Sequence, residues 1–230
     1  MSIKNLLTSS LRYFILLFII LCVATWMTLQ LNLTSIGNKH QILTKVTDSS
    51  LITLIKEKTG LQLESFQIIA SDQPHAAMIG IPGHPFMTVS SDLNDTFTDS
   101  EKEYVVLHET GHYLLNHTIK ETLFGLFLFV IGCFVIRRHR KLYLIPTIGI
   151  MFGLLCIQYG MVSEKEADRF ALSHITNPNG MITATEKFRT AHYPPLDDYS
   201  PLWPIFYRSN PYHVRIEMAE REIKSRIQQN

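Results

Sequence analysis

Residues 108–112 read HETGH. On an α-helix, residues four apart lie about 40° apart around the axis. His108 and His112 can therefore turn both imidazoles onto one ion. Glu109 lies one residue on, near enough to serve chemistry at that ion but badly placed to bind it. This is the physical content of the HExxH pattern, in which one helical turn carries two zinc ligands and a general base. The pattern has force only on a helix, and the flanking residues supply one. Thr98 followed three residues later by Glu101 is a capping box. Tyr104, Leu107, Gly111 and Leu115 then share one buried side, which puts HETGH inside the helix.

Farther out, composition narrows the function. The chain has 230 residues and a formal net charge of +1. Nucleic-acid binders show a basic excess, so no nucleic-acid partner is expected. The 46% of hydrophobic residues is concentrated in three runs, 13–29, 122–136 and 142–162, none of which contains a charge. A bilayer span takes about 20 apolar residues, roughly 17 to 25. The first and third runs qualify; the second is short, which leaves open whether it crosses by thinning the bilayer locally or dips in without crossing. The first run continues past Ala24 through Trp26 and Leu29, which reads as an uncleaved anchor rather than a signal peptide. Cys22, Cys133 and Cys156 fall one in each run and form no metal knuckle.

This gives an N-terminal membrane anchor (1–33), a membrane hairpin (122–162), and one aqueous domain in two pieces (34–121 and 163–230). The pattern predicts a helix over 48–59, stopped by Gly60, and a strand over 61–69. A β-hairpin follows, with arms 76–80 and 85–90 around the Pro82-Gly83 turn. SEKEADRFALSHI, 163–175, reads as helix, 177–211 as irregular, and 213–227 as a charged helix with Ile216, Ala219 and Ile223 on one side. The fold class reads as α+β. His117, a turn and a half past His112, reads as a surface residue.

A catalytic zinc site needs a third protein ligand and an open position. EKEAD, 164–168, offers Glu164 and Asp168 on one helical face directly after the hairpin, which returns the chain to where it left. One carboxylate can bind zinc while the other holds an imidazole N–H. Glu166 lies about 200° around the axis from Glu164.

HETGH and EKEAD together resemble the HtpX and CAAX-prenyl-protease family of membrane zinc metallopeptidases, the forty-eighth metallopeptidase family, which includes the Oma-type mitochondrial protease. FMTVSSDLNDTFTDSEKEYVVLHETGHYLLNH, 86–117, looks like its strand, loop and helix leading into the motif. EKEADRFAL looks like its ExxxD segment, and SNPYHVRIEMAE like its closing segment, with Asn210-Pro211 where the family has His-Pro. The resemblance covers about residues 60–225. It implies a zincin-like metallopeptidase domain with one zinc ion per chain, held by His108, His112 and Glu164, with Glu109 as general base and Asp168 orienting a ligand histidine. It implies His213, Arg215 or Tyr212 as transition-state stabilisers. It also implies that Ala76, Ala77, Met78, Ile79 and Gly80 form an edge strand on which an extended substrate adds. With one apolar run before the motif, the chain is too small for the closed chamber of the prenyl protease.

The resulting expectation is a zinc endopeptidase whose partners are membrane lipid and a protein or peptide substrate, drawn from membrane or envelope proteins for quality control or processing. The alternative is a catalytically silent zincin-fold membrane adaptor or assembly factor, against which the intact Glu109 weighs. RRHRK, 137–141, together with Lys4 and Arg12, points to the cytoplasmic side. Three spans then place the catalytic domain outside the cytoplasm of a bacterial cell membrane. RRHRK bound to anionic lipid without a crossing is the other reading.

Overall fold

The computed structural model describes residues 42–46, 50–81, 83–139, 144–192 and 196–229. The N-terminal anchor and the end of the RRHRK cluster lie outside them. The described chain opens with β1 (Ile42–Val46), which the sequence reading did not anticipate, and α1 (Ser50–Thr59). Gly60 stops α1 with a φ of +74° and an N–H donated to Lys56 O. β2 (Ser65–Ile69) starts later than expected. It is followed by β3 (Ala76–Ile81), β4 (His84–Ser90) and a short α2 (Ser91–Thr96) capped by the Ser90 hydroxyl. The sheet order is β1-β2-β4-β3, antiparallel at both ends and parallel between β2 and β4. β3 is therefore an edge strand.

α3 (Asp99–Leu114) begins at the expected capping box, with Thr98 N–H donating to Glu101 Oε2 at 2.7 Å. It packs on the sheet through Tyr104, Val105, Val106 and Leu107, which join Phe66, Met87, Val89 and Leu93 in one buried cluster. Each such large apolar side chain contributes about 1.5–3 kcal/mol on burial, so α3 is fixed by its apolar side while its other side is free for chemistry. Asn116, at φ 56°, then turns the chain into α4 (His117–His139).

The next described helix is α5 (Leu144–His174). Both helices are long and apolar enough to cross a membrane, over His117–Arg138 and Pro146–His174. The run 122–136, short by itself, is lengthened because 117–121 continue the same helix. Phe127, Phe134 and Ile150 stand more than half exposed on these helices. Apolar surface of that kind on a folded chain marks a membrane or partner contact. The boundary expected at 162/163 falls inside α5, so the apolar run and EKEAD share one unbroken rod.

Residues 177–211 are not irregular throughout. They contain α6 (Asn179–His192) and a short α7 (Trp203–Phe206). α6 buries Met181, Ala184 and Thr185 at helical spacing against α3. Gly180 permits the approach, because a Cβ there would lie 2.2 Å from Ser100 O. α8 (Tyr212–Gln229) closes the domain, with Ala219 buried.

Candidate active site

α3 and α5 are the most extensively packed pair of helices, and Gly111 is what lets them meet closely. A Cβ at that position would stand 3.0 Å from the Phe170 ring. The result brings His108, His112 and Glu164 into one cluster. His108 Nε2 and His112 Nε2 are 3.1 Å apart. Glu164 places Oε2 at 3.5 Å from the first and Oε1 at 3.4 Å from the second. Tetrahedral zinc, with bonds of about 2.0–2.1 Å, sets its ligand atoms about 3.3 Å from one another. The two imidazoles and the carboxylate thus fit zinc in both chemistry and spacing.

A buried polar lattice stands behind this triangle. Asp168 is 0% exposed. Its Oδ1 lies 2.9 Å from His108 Nδ1 and accepts from the Tyr104 hydroxyl at 2.9 Å. Its Oδ2 accepts from Asn210 Nδ2 at 3.0 Å and from Arg215 Nε at 3.1 Å. Arg215 also donates to Glu164 Oε2 at 2.9 Å. Burial opposes a charge on His108, but Asp168 and Glu164 outweigh it and push its pKa up to about 10. A metal ligand must be unprotonated, so metal binding here displaces a proton. Burial opposes the charge on Arg215 as well, and the same two carboxylates outweigh it and keep the guanidinium charged.

His117 is not a surface residue. Only 2% of it is exposed. The phase argument assumed one continuous helix, whereas the left-handed Asn116 breaks it and swings His117 back. Its Nδ1 lies 2.9 Å from His112 Nδ1, and its Nε2 lies 3.1 Å from Glu166 Oε2. Both contacts are satisfied if His112 donates from Nδ1 to His117, and His117 donates from Nε2 to Glu166. That tautomer leaves the His112 Nε2 lone pair facing the cluster. The available signal was Asn116 itself, a residue that tolerates positive φ more readily than most.

The triangle opens into a cleft of about 530 Å³ lined by Ala76, Met78, Glu109, Arg208, Tyr212 and Arg215, among others. Glu109 is partly exposed. Burial raises its pKa against the opposing influence of the two histidines, and its carboxylate accepts from the Met78 backbone N–H. That bond follows from the register. Gly80 pairs with Pro85, which has no N–H, so the pair is not hydrogen-bonded. Alternation turns the amides of Met78 and Ala76 outward as well, toward the cleft. Gly80 has a φ of +132° and tolerates no Cβ, which would lie 2.3 Å from His84 O.

Of the three expected stabilisers, Tyr212 and Arg215 line the cleft and His213 does not. His213 stacks on Tyr199 with ring centroids 4.2 Å apart, and its backbone N–H donates to Asp198. The residue at the closing position, Asn210, is bound to Asp168 and serves the site from behind.

Residues 43–223 match peptidase family M48. The crystal structure of S. mikatae Ste24p shares the fold at a TM-score of 0.67 over 95% of this chain, with 15% sequence identity. The chain spans 62% of that structure's length, less than two thirds. No curated protein matches by sequence.

Proposed function

The chain belongs to peptidase family M48, and from that premise we propose that it is a membrane-anchored zinc endopeptidase cutting membrane or envelope proteins, in quality control or processing. The observation that carries this reading is the His108–His112–Glu164 triangle, with Glu109 beside it in an open cleft. These three residues would hold one zinc ion, whose Lewis acidity polarises the scissile carbonyl and activates water when the metal is bound.

The chain's own residues do the rest. Glu109 takes a proton from the attacking water and later delivers it to the leaving amine. Its raised pKa suits both transfers, and the Met78 N–H aims it. A substrate backbone pairs with the outward amide of Ala76 as an added strand, on the same edge from which the Met78 N–H reaches Glu109. Asp168 fixes His108, and His117 with Glu166 fixes His112. Arg215 is committed to the two carboxylates and acts through them, which leaves Tyr212 as the stabiliser facing the cleft. The adaptor alternative gives no reason for a general base aimed by a backbone N–H.

Glu164→Gln is expected to lose most of its zinc on dialysis, while Glu166→Gln keeps it. Glutamine at 166 still offers an oxygen to His117, whereas glutamine at 164 is a poor ligand. Zinc per chain, measured by atomic absorption, checks this, and equal loss in both variants would show the wrong carboxylate had been assigned. From the charges of RRHRK, Lys4 and Arg12 we infer that the catalytic domain lies outside the cytoplasm, with a multi-pass anchor in a bacterial cell membrane. Reporters inserted at Arg138 and fused after Asn230 should then mark opposite sides; the same side for both would rule out two crossings by α4 and α5.

A further inference from the structure

Residues 199–207, YSPLWPIFY, contain no charge. Trp203 at their centre is buried, donating from Nε1 to Ser209 O and stacked on Tyr207 at 4.1 Å. It pins the segment rigidly while its neighbours face outward. Tyr199 and Phe206 are 69% and 65% exposed, and Leu202 and Ile205 more than 40%. Four large apolar or aromatic side chains held outward over eight residues form a patch, not a scatter.

The place of that patch in the fold says what covers it. Gln158 of α5 donates to Pro204 O, and Arg208 pairs with Glu121 of α4. Gly160 leaves room for Arg208, since a Cβ there would lie 2.4 Å from its Cγ. Gln158 and Gly160 belong to the last turns of the apolar run of α5. Glu121 immediately precedes that of α4. α7 is thus level with the point where both helices pass from apolar to polar. A bilayer interface at that height accepts tyrosine and apolar side chains together.

We propose that residues 199–207 are a further membrane contact, in which Leu202, Ile205 and Phe206 enter the interface of the leaflet from which α4 and α5 emerge. The partner is the lipid surface itself. Arg208, Ser209 and Tyr212, which follow directly, line the cleft. Seating the patch therefore holds the mouth of the cleft on the membrane and offers it polypeptide lying along that surface. This rests on the reading of α4 and α5 as spans and of the cleft as a peptidase site.

The test uses the full chain with its three cysteines replaced by serine, reconstituted in phosphatidylcholine vesicles and labelled with NBD at Phe206→Cys or at Glu57→Cys. Glu57 lies on α1, where neighbouring Lys58 bonds Thr176 beyond the far end of α5. The label at 206 should lose emission to a lipid carrying a shallow nitroxide and none to aqueous iodide, and the label at 57 the reverse. Iodide quenching at 206 equal to that at 57 overturns the proposal. Shielding from both quenchers also overturns it, in favour of a protein cover such as the 13–29 run or a second copy. In the same vesicles, Leu202→Ser/Ile205→Ser/Phe206→Ser should lose cleavage of a membrane-tethered substrate but not of a soluble peptide. Wild-type chain that cuts neither sinks the peptidase reading and leaves the quenching result to stand by itself.

Discussion

Glu109→Gln is expected to keep its zinc, its fold and its substrate while losing about 10²–10⁴ in rate, the share of a positioned general base. Glu109 is no part of the ligand triangle, so metal content should not move. The amide is nearly isosteric and still accepts from the Met78 N–H, so the helix and edge strand should keep their spacing. What vanishes is the ability to take a proton from water and return it to the amine. Single-turnover cleavage of a membrane-protein substrate, or of the chain itself, at matched zinc occupancy is the measurement. A mutant as fast as wild type would remove Glu109 from the mechanism. A wild type that cuts nothing across a broad panel would favour the adaptor.

Asp168→Ala is expected to destabilise the fold by about 3–5 kcal/mol, as breaking a buried ion pair from one side does. The carboxylate has no solvent contact and answers four groups at once: His108, Tyr104, Asn210 and Arg215. Removing it strands a largely buried guanidinium, whose remaining partner, Glu164, belongs to the metal cluster. Asp168→Asn should recover part of the loss, since its amide oxygen can still accept. Denaturant unfolding in detergent with chelator present separates this effect from zinc binding. A loss below about 1 kcal/mol, the scale of an exposed pair, would mean that the lattice relaxes around the gap.

The two motifs were legible because helical phase is local. HETGH and EKEAD each need only one helix, and the intervening hairpin announced their meeting. The Thr98 cap and the Gly60 stop were equally local and appear as read, while each hairpin arm runs one residue farther toward the turn than expected. His117 was misplaced because a phase argument cannot see the single left-handed residue that ends its helix. α6 was hidden because its apolar residues, Met181, Ile182, Ala184, Phe188 and Ala191, are interleaved with threonines and sit in a Pro- and Tyr-rich neighbourhood; contact with α3 completes it. The role of Asn210 was invisible because nothing in a sequence says that an amide forty residues away will close on Asp168.

The unbroken course of α5 has a metric consequence. Val162 ends the apolar run and Glu164 follows two residues later, about 3 Å along the axis. On the reading of α5 as a span, this rod works as a depth gauge, and on the peptidase reading a bond is selected first by its altitude above the lipid. Bonds buried in acyl chains or carried far into solvent fall outside its reach, whatever their side chains. Such an enzyme can afford a permissive cleft, because elevation does the discriminating. One residue added between Val162 and Glu164 would lift the gauge by only about 1.5 Å but turn its carboxylates about 100° off the mark.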